Sequence, residues 1–76
     1  MKEKVLAILK TVRADVDFLN ETKLIDDGIL DSFDIISIVS EFDEQFEIEI
    51  DVEDLEPDNF NTVDAMVELI TKLQDE

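Results

Sequence analysis

The sequence contains no cysteine and no histidine. Without cysteine, the chain has no disulfide framework, no thiolate nucleophile and no sulfur ligand for zinc. Without histidine, it lacks the usual general base and the commonest ligand for transition metals. The available residues therefore exclude most catalytic chemistries, and we expect neither an enzyme nor a metal site.

Basic residues are scarce, and none lies in the middle of the chain. The net charge is −16, and residues 24–71 hold sixteen of the 22 acidic residues but no lysine or arginine. Such a surface repels nucleic acids and anionic membranes, and it attracts proteins that carry basic patches. We therefore expect basic protein partners and no nucleic-acid partner.

Long apolar runs are also absent. The N-terminal residues interleave charged and apolar side chains, and no segment has the length of a signal-peptide core or a membrane span. Residues 1–76 are enough for one domain, and 45% apolar residues in a periodic pattern disfavour disorder. We expect a single cytoplasmic domain, monomeric and without a membrane span.

Apolar residues recur every three or four positions in three segments, which is typical of amphipathic helices. The first stripe runs over residues 1–16, and its helix is expected to end near Arg13 or Ala14. The second helix begins at Ser32 with Asp31 as its N-cap, and the last follows Thr62 as N-cap. Each of these helices has one apolar face for a common core.

The segments between these helices are irregular. Residues 15–29 mix turn-forming and apolar residues without a period, so they predict a long, structured loop that packs on the core. Residues 51–55 predict a short helical turn that ends before Pro57. The fold class is therefore all-α, a small bundle of three main helices and one short helix. The loop residues expected to contact the core are Phe18, Leu19, Leu24, Ile25, Ile29 and Leu30.

The second helix also carries apolar residues outside its core stripe. At about 100° per residue, Phe33 projects away from that stripe and Ile36 lies at its edge. An exposed phenylalanine is typical of a surface that contacts another molecule.

Ser32 stands in the segment "GILDSFDI", which contains Gly28, the only glycine of the chain. A serine nucleophile needs an adjacent base and an oxyanion loop, and the sequence offers no motif of that kind. A calcium loop with Gly28 in its sixth position would begin at Lys23, which cannot be a ligand. Ser32 is therefore either an ordinary helix start or an attachment point for an anionic group, which a helix N-terminus favours.

Three features resemble the acyl carrier proteins: "GILDSFDI", the later "EFDEQFEIEI", and the Thr-capped last helix. In that family, the serine of an Asp-Ser-Leu motif receives 4′-phosphopantetheine. The motif here is Asp31-Ser32-Phe33. The resemblance implies that a phosphopantetheinyl transferase attaches the arm covalently to Ser32 and that Asp31 helps the transferase to place its magnesium ion. The thiol of the arm would then carry acyl groups as thioesters between enzymes.

The same resemblance implies a partner-binding surface on the second helix. Acidic side chains would meet basic patches on loading ligases and acyl-transferring enzymes, and two apolar side chains would complete the contact. The acidic residues are Asp34, Glu41, Glu44 and Glu47, and the apolar residues are Phe33 and Ile36.

Two subgroups of carriers share features with this chain. Asp34 and "FEIEI" resemble the fatty-acid carriers, whereas Phe33 and "EPDNFNT" resemble the D-alanyl carriers of teichoic acid modification. The D-alanyl carriers usually have glycine in place of Asp34 and tryptophan in place of Phe60. We interpret the protein as an acyl carrier for fatty-acid, polyketide-like or other biosynthesis. The alternatives are an aminoacyl carrier loaded by an adenylating ligase, and an acidic interaction module without a prosthetic group.

Overall fold

Four α-helices and one 3-10 helix build the structure. The computed structural model describes residues 1–75, and the fold measures 31 × 23 × 20 Å. The helices are α1 (Lys2–Val12), α2 (Ser32–Phe46), α3 (Pro57–Phe60) and α4 (Val63–Gln74), and the 3-10 helix covers Val52–Asp54. The described residues contain no strand. The predicted all-α bundle is confirmed.

The predicted helix starts are confirmed by their caps. Asp31 is the N-cap of α2, and its side chain accepts a hydrogen bond from the backbone N–H of Asp34. Thr62 is the N-cap of α4, and its hydroxyl accepts a hydrogen bond from the N–H of Ala65 at 3.0 Å. The first helix ends at Val12, within a residue of the expected position, because the following backbone is extended.

The short helical turn predicted before Pro57 is confirmed, although it is shorter than expected. It is the 3-10 helix Val52–Asp54, closed by a hydrogen bond from the N–H of Leu55 to the carbonyl of Val52 at 3.1 Å. Pro57 itself begins a further helix, α3, which was not predicted; proline is tolerated there because the first position of a helix requires no N–H donor.

The core combines side chains from the helices with three from the loop between α1 and α2 and with Ile50, which follows α2. Phe18, Leu24 and Leu30 are buried there, and Ile25 and Ile29 pack against them partly buried. Two other apolar residues that were expected in the core lie at the surface instead. Leu19 is 62% exposed and Met1 is 48% exposed. The helical core residues are Val5, Ile8, Leu9, Ile38, Phe42, Phe60, Val63, Met66, Leu69 and Ile70.

Asn61 fixes the loop between α1 and α2 to the α3–α4 junction. Its Oδ1 accepts hydrogen bonds from the N–H groups of Ile25 and Asp26 at 3.0 and 3.1 Å, and its carbonyl accepts one from Leu24. Gly28 then reverses the chain with φ +71°, a left-handed conformation that favours glycine. The loop therefore reaches α2 with a defined path, and this path sets the position of Ser32.

Within residues 1–75, none of the helices combines the length and the apolar character needed to cross a bilayer.

Candidate functional site

Ser32 is the first residue of α2, and its side chain is exposed. The Ser32 hydroxyl makes no hydrogen bond with the described residues. The first N–H groups of an α-helix have no partner within the helix, and they carry the positive end of its dipole. The site therefore presents a free hydroxyl beside N–H groups and a helix dipole that favour an anionic substituent, while the carboxylates of Asp31 and Asp34 oppose one.

Two aspartates form a capping box around Ser32. The N–H of Asp34 donates to Oδ1 of Asp31 at 2.9 Å, and the N–H of Asp31 donates to Oδ2 of Asp34 at 3.4 Å. This reciprocal arrangement satisfies two backbone donors and fixes where the helix begins. The Asp31 carboxylate lies one residue from the serine, and the described residues donate no hydrogen bond to its Oδ2.

Arg13, at the end of α1, contacts the same capping box. Its Nη1 lies 2.8 Å from Oδ2 of Asp34, and the Asp34 side chain is only 14% exposed. The guanidinium also binds Asp15, with Nε 3.1 Å from Oδ1. The hydrogen bond from Arg13 lowers the pKa of Asp15, and the bonds to Asp15 and Asp34 raise the pKa of Arg13. Two acidic side chains near the site are thus paired with one cation.

Two apolar side chains lie exposed on the first two turns of α2. Phe33 is 82% exposed and Ile36 is 66% exposed, as the angle count predicted. They border a shallow groove against the end of α1, together with Ser37 and Glu41. We call Phe33, Ile36 and Glu41 the helix-2 patch.

The predicted partner-binding acids occupy different environments. Glu44 and Glu47 are exposed, and Glu41 is partly exposed. Asp34 is turned toward Arg13 and takes part in the capping box, so its carboxylate is already occupied. Glu47 is the C-cap of α2 and has a positive φ of 54°. Glu41, Glu44 and Glu47 are therefore accessible to a partner along α2. The Asp34 carboxylate is instead bonded to Arg13 and to the N–H of Asp31.

Among the described residues, no group of three or more acidic side chains is placed to hold a metal ion.

Two residues near the site were missed in the sequence. Arg13 is the only basic residue between Lys10 and Lys23, a signal that could have marked it as a partner for an acidic group. Its partner Asp34 lies 21 residues away, and local spacing does not indicate that pairing. The role of Asn61 had no local signal either, because its partners lie 35 and 36 residues earlier in the chain.

The chain is similar to known carriers over nearly its whole length. Residues 2–70 match the family model described as the phosphopantetheine attachment site. The D-alanyl carrier protein of Bacillus mycoides (strain KBAB4) is 34% identical over 76 residues, covering 96% of this chain and 95% of that protein. The D-alanyl carrier proteins of Bacillus cereus (strain B4264) and Bacillus anthracis (strain CDC 684 / NRRL 3495) are 33% identical with the same coverage.

Members of this family bear 4′-phosphopantetheine covalently on a serine and are not catalysts themselves. They work with a phosphopantetheinyl transferase and with ligases that supply the cargo. The helical bundle agrees with this assignment, and the chain belongs to the acyl carrier family of phosphopantetheine-bearing proteins.

Proposed function

We propose that Ser32 is the serine that bears the phosphopantetheine arm and that residues 1–76 act as one carrier domain. The chain has three serines, Ser32, Ser37 and Ser40, and all three are exposed on α2. Only Ser32 lies at the helix N-terminus beside an N-cap aspartate. That position is the observation that supports the proposal most strongly.

The residues around Ser32 suit a covalently attached phosphodiester. The first turn of α2 offers backbone N–H groups and the positive end of the helix dipole. The neighbouring carboxylate of Asp34 is paired with Arg13, which reduces its repulsion of an added anion. When bound, the arm supplies a terminal thiol for thioester chemistry, which a chain without cysteine cannot supply itself.

Asp31 is the proposed contact for the magnesium ion that the transferase brings. Its Oδ1 already accepts a hydrogen bond from the N–H of Asp34, which holds the carboxylate beside Ser32. Magnesium prefers oxygen ligands and is commonly held by one or two carboxylates and substrate phosphates. A carboxylate in this fixed orientation is suited to that role.

The helix-2 patch, with Glu44 and Glu47 beyond it, is the proposed surface for partner enzymes. Phe33 and Ile36 supply exposed apolar area, and the glutamates supply negative charge along the same helix. Charge complementarity of this kind raises association rates and selects partners, while a small contact area keeps the complex short-lived. Both properties suit a carrier that must visit several enzymes.

For the cargo, we propose a small acyl group, with D-alanine as the first candidate. The D-alanyl carrier proteins are similar to this chain over 96% of its length. An apolar cleft between Ile35, Leu55 and Phe60 holds about 100 Å³. That volume is smaller than the cavity of about 150 Å³ that accommodates benzene in another protein, so a long acyl chain would not fit without opening the bundle.

A fatty acyl group is the second candidate, and Asp34 is the observation that favours it. The fatty-acid carriers resemble this chain in having aspartate at that position, where the D-alanyl carriers usually have glycine. Here Asp34 closes the capping box and pairs with Arg13, two contacts that glycine cannot make.

Loading of the phosphopantetheinylated protein distinguishes the two cargoes. We would incubate it with ATP and either D-alanine and an adenylating D-alanine ligase, or octanoate and an acyl-carrier acylating ligase. Intact mass would report the thioester, and an authentic carrier for each ligase would be the positive control. We expect D-alanine to be attached and octanoate to react poorly. Efficient octanoate loading with no D-alanine loading would favour the fatty acyl candidate.

A further inference from the structure

The Arg13 side chain joins three segments that meet at the start of α2. Its Nη1 donates to the carbonyl of Ile29 at 3.2 Å and to Oδ2 of Asp34 at 2.8 Å. Its Nε and Nη2 donate to Asp15 at 3.1 and 3.2 Å. Arg13 is also the C-cap of α1. One guanidinium thus fixes the first residues of the loop, its last residues and the first turn of α2 relative to one another.

The contact with Asp34 continues to the residues on either side of the serine. Oδ2 of Asp34 accepts from both Arg13 and the N–H of Asp31, and the N–H of Asp34 holds Oδ1 of Asp31. The side chains of Asp31 and Asp34 therefore each accept a hydrogen bond from the backbone N–H of the other residue, and Ser32 lies between them. The Asp34 side chain is largely shielded from water, so this pair is screened less than a fully exposed one.

We propose that Arg13 is a positioning residue for modification of Ser32. It acts through Asp34, whose carboxylate it orients so that Asp31 and the Ser32 hydroxyl keep the geometry that a transferase needs. The proposal rests on Ser32 being the attachment site. Arginine suits the role because its planar fork can hold several acceptors at once, which a lysine ammonium on a flexible stem does not reproduce.

If Arg13 acted only through its charge, the Arg13→Gln variant should be modified faster than the wild type. Removing the positive charge of Arg13 makes the carrier more acidic, and a more acidic carrier should associate faster with a basic transferase. A slower modification of the Arg13→Gln variant would therefore reflect lost geometry. Misplacement of reacting groups by about 1 Å can cost up to about 100-fold in rate, so a loss of about tenfold is a moderate expectation.

The test is a double-mutant cycle on Arg13 and Asp34. We would measure kcat and KM for modification by a phosphopantetheinyl transferase with coenzyme A and magnesium, using intact mass, at a temperature where circular dichroism shows every variant folded. The variants are Arg13→Gln, Asp34→Asn and the double variant. Lys2→Gln is the control, because it removes a positive charge that pairs with Asp64 at a distance from the site.

We expect Arg13→Gln and Asp34→Asn each to lower kcat/KM about tenfold, mainly through kcat, and the double variant to fall no further. Lys2→Gln should keep the wild-type rate. The proposal that Arg13 positions the site would be overturned if Arg13→Gln showed wild-type kinetics. It would also be overturned if the losses in kcat/KM of the two single variants multiplied in the double variant. An unmodified wild-type chain would overturn the proposed attachment at Ser32 as well, so the two failures are distinguishable.

Discussion

The Oδ1 oxygen of Asn61 accepts a hydrogen bond from the backbone N–H of Ile25 at 3.0 Å, across 36 residues of chain. The same oxygen accepts from the N–H of Asp26, and Nδ2 of Asn61 donates to the Asp26 carboxylate at 3.2 Å. Asn61 is the only buried polar residue of the described chain. It therefore ties the loop that leads to Ser32 to the junction between α3 and α4.

Replacement of Asn61 should destabilise the fold. Asn61→Ala removes three side-chain hydrogen bonds and leaves backbone donors without partners, and we expect it to lower the free energy of unfolding by about 2–3 kcal/mol. Urea denaturation would measure the loss. Asn59→Ala is the matched control, because Asn59 donates one side-chain hydrogen bond to the carbonyl of Asp54 and should cost about 1 kcal/mol. Equal losses in the two variants would contradict the anchoring role of Asn61.

A second stability prediction concerns Glu47, which has a left-handed backbone at the C-terminus of α2. This conformation is unfavourable for side chains with a Cβ, and a negative charge is unfavourable at the negative end of the helix dipole. Glu47→Gly should therefore raise the free energy of unfolding by about 0.5–1 kcal/mol. Glu44→Gly, inside the helix, should lower it by about 1 kcal/mol. Destabilisation of similar size in both variants would show that the left-handed cap costs nothing.

The uneven charge of the chain should make its stability depend on salt. Residues 24–71 carry sixteen acids and no base, and salt shortens the range of their repulsion from about 30 Å at 0.01 M to about 10 Å at 0.1 M. We expect stabilisation of about 1 kcal/mol over this range, which corresponds to about 4–8 °C in Tm for a domain of this size. Thermal unfolding in sodium chloride and in potassium chloride would test it, and a Tm that does not move in either salt would contradict the charge model.

The helix-2 patch should control how fast partner enzymes act. Glu41→Lys with Glu44→Lys should lower kcat/KM for transferase modification about tenfold by opposing a basic partner, and Phe33→Ala should also slow it by removing exposed apolar contact. Circular dichroism should show unchanged helicity, because these side chains are not in the core. Glu68→Lys, an exposed charge reversal on α4, is the control. Equal values of kcat/KM in the α2 and α4 variants would show that the transferase does not bind at the helix-2 patch.

Local sequence signals predicted most of the fold but few of its long-range contacts. The caps at Asp31 and Thr62 were predictable because N-capping depends on residues within one turn. Helical periodicity likewise identified Phe33 as exposed. Leu19 was misplaced because a loop without a period gives no indication of which apolar side chains face inward. The pairing of Arg13 with Asp34 depends on how α1 and α2 pack, so neither segment alone indicates it.

Intact mass is the most direct test of the proposal that Ser32 bears the phosphopantetheine arm. The apo protein would be measured before and after incubation with coenzyme A, magnesium and a broad-specificity phosphopantetheinyl transferase. Ser32→Ala would be measured alongside Ser37→Ala and Ser40→Ala, which alter the two other serines of the same helix. We predict a gain of one phosphopantetheine group in the wild type and in the Ser37 and Ser40 variants, and none in Ser32→Ala. A gain in Ser32→Ala, or no gain in a folded wild type with an active transferase, would contradict the proposal.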